Sequence, residues 1–273
     1  MNFQQKVSHA WVKNNSLVCV GLDPDPQRFP EQFGGKKDAI FQFNRAIIDA
    51  TADLVCAFKP QIAHYAAIGA EDQLLRSIEY IHHNHPDIPV ILDSKRGDIG
   101  STAEKYADEA FIRFEADAVT INPYLGLDSI EPFSRHADKG VIVLCRTSNP
   151  SSASIQNLMV GEQKLYEKIA QMAVSEWNEN NNISLVVGAT NPTELGKIRS
   201  IVGDMMLLVP GIGAQGGDTK AAISNGQDVH GAGLIVNSSR GVLYASQGPD
   251  FADAARQVTE QMRDEINRYR KVV

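Results

Sequence analysis

Eight short apolar runs recur along the 273-residue chain, separated by longer segments with helical periodicity. Both faces of each run are apolar, which is typical of parallel strands that are covered by helices on one side and packed against an interior on the other. No Pro/Gly/Ser-rich linker divides the series. The runs are residues 17–22, 54–59, 89–93, 118–122, 141–145, 185–188, 206–210 and 234–237.

Helical patterns lie between the runs, at residues 39–52, 70–85, 101–114, 162–178 and 251–271. The helix after the third run is predicted to begin with Ser101 or Thr102 as its N-cap, with Glu104 nearby. Eight strand–helix units predict an α/β fold, a single-domain (β/α)8 TIM barrel over residues 1–273. An open doubly wound sheet would have the same strand count. In a barrel, functional side chains lie at the carboxyl ends of the strands.

Charged side chains cluster at the end of the third run. If residues 90–95 form a regular strand, Asp93 and Lys95 project to the same side, and Asp98 lies just past the strand end. Lys59 ends the second run. Charges at such positions are costly to desolvate, so they indicate either a catalytic array or a salt-bridge network that closes the barrel end. A lysine kept protonated by carboxylates suits proton delivery to a carbanion better than Schiff-base chemistry.

A glycine-rich loop at residues 210–218 follows the seventh run and leads into a helix. Glycines let backbone amides approach an anion, and the loops after strands seven and eight of a barrel are the usual phosphate site. Arg240 follows the eighth run and could bind the same phosphate. The alternative is two ordinary turns with a surface arginine. The loop is not a dinucleotide fingerprint, which requires a first-strand position and a later ribose-binding acid.

The net charge of −7, with both signs interspersed, argues against a nucleic-acid or anionic-membrane partner. No run of about 18 apolar residues predicts a membrane span, and residues 1–6 lack the apolar segment of a signal peptide. The three cysteines lie far apart inside apolar runs and are expected to be buried thiols in a reducing cytoplasm rather than disulfide or metal ligands; they are Cys19, Cys56 and Cys145.

Three histidines near the end of one predicted helix, His82, His83 and His85, are expected to form a solvated C-terminal turn rather than a metal site. The polar run at residues 149–154 is either a plain connector or part of a mobile lid, and the purpose of residues 151–160 stays open.

The motif Asp93-x-Lys95-x-x-Asp98-Ile99-x-x-Thr102 resembles the signature of the orotidine 5′-phosphate decarboxylase family, and most closely that of its longer bacterial type 2 subfamily. The resemblance covers roughly residues 18–244. Its supporting segments lie in the expected barrel order, at residues 21–25, 58–60, 122–126, 146–150, 210–217 and 237–240.

This resemblance implies a (β/α)8 homodimer that converts orotidine 5′-monophosphate to UMP and CO2 in pyrimidine nucleotide synthesis, without a metal or organic cofactor. Lys95 would donate a proton to C6 of the pyrimidine, and Lys59 and Asp93 would complete the charged array. Asp98 and Thr102 would reach into the neighbouring subunit's site. The remaining implied contacts are Asp23 and Lys59 to ribose hydroxyls, Ser148 to the pyrimidine edge, and Gln215 and Arg240 to the phosphate.

Two other functions fit parts of the pattern. A metal-dependent decarboxylase or epimerase of sugar phosphates would have the same barrel and phosphate site, and some of these enzymes have a similar Asp-x-Lys-x-x-Asp motif. The Ser148 and Gln215 positions argue against it. A noncatalytic phosphate-ligand binding protein could also have kept the fold, although no catalytic residue of the motif is missing.

Overall fold

The computed structural model describes residues 1–212 and 218–271. Eight parallel strands form its main sheet: β1 (Val18–Leu22), β2 (Ala57–Pro60), β3 (Ile91–Arg96), β4 (Ala118–Ile121), β5 (Gly140–Arg146), β8 (Ile183–Val187), β9 (Leu207–Pro210) and β10 (Leu234–Ser238). A small antiparallel hairpin, β6 (Met159–Val160) and β7 (Gln163–Lys164), lies between β5 and β8 in the chain.

The main sheet closes on itself. Its strand order is β2-β1-β10-β9-β8-β5-β4-β3, and two parallel bridges, Phe58 to Val90 and Gln61 to Asp93, join its two ends. Backbone hydrogen bonds support this closure, since Phe58 N donates to Pro89 O at 3.0 Å. The predicted (β/α)8 TIM barrel is therefore confirmed, and the open sheet is excluded.

Helices connect the strands and cover the outside of the barrel. They are α1 (Phe3–Lys13), α2 (Ala39–Thr51), α3 (Ala63–Ala66), α4 (Glu71–Asn84), α5 (Gly100–Asp108), α6 (Glu131–Ser134), α7 (Ala153–Gln156), α8 (Leu165–Ser175), α9 (Pro192–Val202), α10 (Thr219–Gly226), α11 (Arg240–Leu243) and α12 (Phe251–Tyr269). Each longer helix buries one apolar face; α2, for example, buries Ile40, Phe43 and Ile47.

Helix α1 packs across the amino-terminal end of the barrel. A capping box between Asn2 and Gln5 begins it, and its buried face includes Phe3 and Trp11. Phe3 lies so close to the start of β5 that a Cβ at Gly140 would collide with its ring. Helix α1 was not predicted from the sequence, although the capping signal is present there.

Two helix starts differ from the predictions. Helix α5 begins at Gly100 after Ile99, which makes no side-chain cap, so the predicted N-cap at Ser101 or Thr102 is wrong. The segment predicted as helical from residue 162 first completes the β6–β7 hairpin, and α8 begins only at Leu165.

The histidine prediction holds only in part. His83 is exposed, but the Nε2 atom of His82 lies 3.1 Å from Oδ2 of the buried Asp117. Within the described ranges, no cluster of three or more His, Cys, Asp or Glu side chains has the arrangement of a metal site. The three cysteines are buried, as predicted. None of the helices in the described part of the chain is both long and apolar enough to cross a membrane.

Candidate active site

A cavity of about 1020 Å³ opens at the carboxyl ends of the barrel strands. Six of the predicted site residues line this cavity: Asp23, Lys59, Asp93, Lys95, Ser148 and Arg240. Asp93 and Lys95 both belong to β3, and each of the other four comes from a different strand or from the segment that follows that strand. Asp98 and Thr102 do not line this cavity. Gln215 lies outside the described residues.

Asp93 is the centre of a charged network at the base of the cavity. Its Oδ2 accepts a hydrogen bond from Lys59 Nζ at 2.8 Å, and its Oδ1 accepts one from Lys95 Nζ at 2.6 Å. Asp93 and Lys59 are nearly inaccessible to solvent, whereas 43% of the Lys95 side chain is exposed. Of the two lysines, Lys95 is therefore the one whose ammonium group is open to the cavity.

The network keeps its buried members charged. Burial by itself raises the pKa of Asp93, but the nearby ammonium groups of Lys59 and Lys95 outweigh it and hold that pKa well below its ordinary range. Burial by itself lowers the pKa of Lys59, but the charges of Asp93 and Asp23 outweigh it and raise that pKa above its ordinary value. The site therefore holds a preorganised array of alternating fixed charges.

Strand β3 is not the regular strand that the sequence predicted. Its register with β4 shifts between Leu92 and Arg96, and Lys95 has a φ of 50°, in the left-handed region. Asp93 and Lys95 nevertheless meet, as predicted, but they meet through a bulge rather than through simple alternation. Thr120, which sequence reasoning missed, faces this bulge from β4.

Three buried oxygen atoms of residues at the cavity have no hydrogen-bond partner within the described ranges. They are Asp23 Oδ1, Asn237 Oδ1 and Ser239 Oγ. All three residues line the cavity, where a polar ligand could satisfy these atoms. Gly21 keeps the space beside them, because a Cβ there would lie 2.7 Å from the Cβ of Ser239. Asn237 and Ser239 were part of a supporting segment, but the sequence did not assign them a role.

The loop that carries Ser148 is anchored by a buried arginine. Arg146 Nε donates to Glu194 Oε2 at 2.6 Å, and its Nη1 donates to the Gln156 side chain at 3.2 Å. Gln156 also accepts a hydrogen bond from Thr147 N at 2.9 Å. Helix α7 is thereby tied to the loop after β5, so part of the 151–160 segment forms a wall of the cavity.

Asp98 lies on the β3–α5 connection, and Thr102 lies in the first turn of α5. The Oδ1 of Asp98 accepts a hydrogen bond from Ile99 N at 2.9 Å, and Thr102 is exposed. Large apolar side chains are exposed nearby, on this connection and on the one after β4: Ile99, Tyr124, Leu125 and Leu127, the last three being 85%, 48% and 45% exposed. Such a cluster is typical of a surface that contacts another protein.

Comparison with known proteins supports the motif-based resemblance. Residues 16–258 match the model of the orotidine 5′-phosphate decarboxylase / HUMPS family. A protein of Dechloromonas aromatica named orotidine 5′-phosphate decarboxylase is 61% identical over 270 residues, 99% of this chain and 100% of its own length. One of the same name from Azoarcus sp. is 58% identical over the same shares of the two chains.

Solved structures give the same result. The structure of Leishmania donovani OMP decarboxylase superposes with a TM-score of 0.83 at 37% identity, covering 98% of this chain and 99% of that one. The structure of Leishmania donovani UMP synthase superposes with a TM-score of 0.88 at 39% identity, covering 99% of this chain and 56% of that one. The chain belongs to the orotidine 5′-phosphate decarboxylase / HUMPS family.

Proposed function

We propose that this protein is an orotidine 5′-phosphate decarboxylase that converts orotidine 5′-monophosphate to UMP and CO2 in pyrimidine nucleotide synthesis. The observation that carries the proposal is the Lys59–Asp93–Lys95 array at the floor of a cavity at the carboxyl ends of the barrel strands. Three buried oxygen atoms of residues that line this cavity have no partner among the described residues, and they suit a ligand with several hydroxyl groups. Asp23 and Lys59 contact the ribose, Ser148 contacts the pyrimidine, and Arg240 with Gln215 binds the phosphate.

The array suits the chemistry because loss of CO2 leaves an electron pair on a carbon that has little resonance stabilisation. The ammonium of Lys95 places a positive charge where that pair develops, and then donates its proton to C6. Its position is fixed beforehand by Asp93, so little reorganisation is needed during the reaction. Enzymes lower activation barriers by about 8–23 kcal/mol, and no single hydrogen bond supplies that much.

Asp93 has a second effect in this proposal. It stays ionised, because its pKa lies well below the ordinary range, and it lies where the substrate carboxylate is bound beside Lys95. Two like charges at close range disfavour the ground state, although this contributes less than the stabilisation of the carbanion by Lys95. Binding of the phosphate, remote from C6, holds the substrate in register with the array.

The proposal is tested by following UMP formation spectrophotometrically, with and without a chelator. Lys95→Ala should lower kcat by at least about 10²–10⁴-fold, the usual contribution of a general acid, with native circular dichroism. Lys105→Ala is the matched control, because Lys105 is an exposed lysine of α5 that forms a salt bridge with the exposed Asp108 of the same helix. A largely retained kcat in Lys95→Ala refutes the proton-donor role.

The same assay distinguishes the alternatives. No turnover of orotidine 5′-monophosphate, together with turnover of a sugar phosphate that the chelator abolishes, favours a metal-dependent enzyme of sugar phosphates. Tight binding of UMP without turnover by the wild-type protein favours a noncatalytic binding protein.

We further propose a homodimer in which Asp98 and Thr102 complete the partner's site. Neither residue lines the cavity of its own chain, and the exposed apolar residues Tyr124 and Leu127 lie on the neighbouring connection. Mixing inactive Asp98→Ala and Lys95→Ala subunits should restore activity, because one site of each hybrid dimer is then intact. A mixture of Asp93→Ala and Lys95→Ala is the control and should stay inactive, since both residues serve their own chain's site.

An absence of recovery in the first mixture, despite demonstrated subunit exchange, refutes the shared site. The three buried, unpaired thiols fit a reducing compartment, so we propose that the enzyme acts in the cytoplasm. Cell fractionation tests this location.

A further inference from the structure

We propose that Thr120 is a positioning residue of the decarboxylation: its hydroxyl fixes both the backbone of Lys95 and the carboxylate of Asp93, and thereby aims the Lys95 ammonium at the reacting carbon. This inference rests on the proposed function. Thr120 lies on β4 at the floor of the cavity, and only 1% of the residue is exposed to solvent.

The bulge in β3 brings the backbone of Lys95 to Thr120. Leu92 pairs with Val119 and Arg96 pairs with Ile121, so three residues of β3 lie opposite Thr120 alone. The extra residues turn two successive amides toward the same place. Ser94 N and Lys95 N both donate to Thr120 Oγ1, each at 3.0 Å. A side-chain oxygen thus takes the part that backbone carbonyls play in a regular ladder.

The hydroxyl group of Thr120 has one proton to donate and two lone pairs to accept hydrogen bonds. Both lone pairs of Thr120 Oγ1 accept the amides of β3. Its proton is therefore left to donate, and it does so to Asp93 Oδ1 at 2.7 Å. The direction of every hydrogen bond at this hydroxyl is fixed by its surroundings, so the group has no freedom to rotate.

The carboxylate of Asp93 connects this hydroxyl to the proton donor, Lys95. The same Oδ1 of Asp93 accepts the Lys95 ammonium at 2.6 Å. Thr120 therefore holds Lys95 at both ends, through its backbone amide and, by way of Asp93, through its Nζ. Lys95 needs this restraint because its φ of 50° lies in the left-handed region, which a residue with a Cβ rarely adopts. Without Oγ1 the backbone of Lys95 can relax toward an extended conformation.

Relaxation of that backbone displaces Nζ from the position where the electron pair develops. A misplacement of about 1 Å in a catalytic group can lower the rate on the order of 100-fold. Binding of the ribose and the phosphate depends on other strands, since Asp23 follows β1 and Arg240 follows β10. Loss of the Thr120 hydroxyl should therefore lower kcat far more than it raises KM.

The experiment compares Thr120→Val, which replaces the hydroxyl with a methyl group, with Thr120→Ser, which keeps the oxygen. We expect kcat of Thr120→Val to fall between about 10- and 100-fold with KM within about threefold of wild type. Thr120→Ser should recover kcat to within about threefold. Thr259→Val is the matched control, because Thr259 is a fully buried threonine of α12 whose hydroxyl donates to the carbonyl of Ala255 in the same helix.

The outcomes separate the two proposals. An inactive wild-type protein refutes the proposed function, and this inference falls with it. An active wild type with an unchanged kcat in Thr120→Val, or with kcat equally low in Thr120→Ser, refutes only the role of Thr120. If Thr120→Val does not fold, Thr120→Ala and Thr120→Ser make the same comparison, since they differ by Oγ alone. Equal kcat in that pair refutes the inference.

Discussion

Replacing Asp117 with asparagine should weaken the attachment of α1 to the amino-terminal end of the barrel. Asp117 directly precedes β4 and is 7% exposed. Its Oδ1 accepts a hydrogen bond from Lys6 Nζ at 2.6 Å, and its Oδ2 accepts one from Val90 N at 2.9 Å, with His82 Nε2 at 3.1 Å. An asparagine cannot neutralise Lys6 and presents an amide where one carboxylate oxygen accepted hydrogen bonds.

The magnitude follows from the pKa of this carboxyl group. Burial by itself raises the pKa of Asp117, but the hydrogen bond from His82 and the charge of Lys6 outweigh it and lower that pKa from 3.8 to about 2. One pKa unit corresponds to about 1.36 kcal/mol, so the ionised carboxylate stabilises the folded state by roughly 2.5 kcal/mol at neutral pH.

The sign of the pH dependence is also fixed. Because the folded pKa is lower than the unfolded one, the stabilisation is complete well above pH 3.8. It is lost as the pH falls through the window from 3.8 to about 2, where the folded carboxyl group takes up its proton. The stability difference between wild type and Asp117→Asn should therefore be roughly 2.5 kcal/mol at pH 7 and shrink toward zero at the lower end of that window.

Urea unfolding followed by circular dichroism, repeated from pH 7 downward, measures this difference. The matched control is Asp87→Asn, because Asp87 also pairs with a lysine of α1, with Lys13 Nζ 2.8 Å from its Oδ2, but is much more exposed. An exposed ion pair contributes only about 0–1 kcal/mol. Equal losses in the two variants, or a loss in Asp117→Asn that does not depend on pH, would refute the reasoning.

Three further predictions concern the cavity and the packing of the barrel. A Cβ at Gly188 would lie 2.8 Å from backbone atoms of Ser148, so Gly188→Ala should lower kcat/KM about tenfold or more, whereas Gly196→Ala in α9 should not. Gln156→Leu removes the side chain that holds Thr147 and should raise KM severalfold without changing kcat, as steady-state kinetics will show. Arg199→Leu removes hydrogen bonds to four backbone carbonyls and should destabilise the fold by roughly 3 kcal/mol in urea unfolding, with kcat per folded molecule unchanged.

Local patterns predicted most of the strands well, because burial and apolar side chains coincide in them. The run predicted at residues 118–122 corresponds to β4, which is apolar except for Thr120. Two of the errors occur where a polar residue is buried by its neighbours. Strand β8 begins at Ile183 rather than at residue 185 because it includes the buried Ser184, and β5 extends to Arg146 because Glu194 neutralises that arginine.

In the active site, too, residue spacing predicted some contacts, whereas others depend on how the strands pair. The spacing of the charged motif correctly predicted that Asp93 and Lys95 meet, because residues two apart in one strand cannot be far from each other. The role of Thr120 could not be read from the sequence, since it depends on a register shift between two strands. Register is a property of the pairing, and neither strand encodes it alone.

By itself, the sequence determined the series of strand–helix units and the identity of the charged motif, because hydrophobic periodicity and residue spacing are local quantities. Closure of the sheet into a barrel was decided by the bridges between β2 and β3. The tertiary structure decided which polar groups are paired across long stretches of chain. Lys6 and Asp117 are 111 residues apart, and Arg146 and Glu194 are 48 apart. Such pairs form only after the closed sheet has excluded water, so burial, and with it the pKa of each group, is set by the fold as a whole.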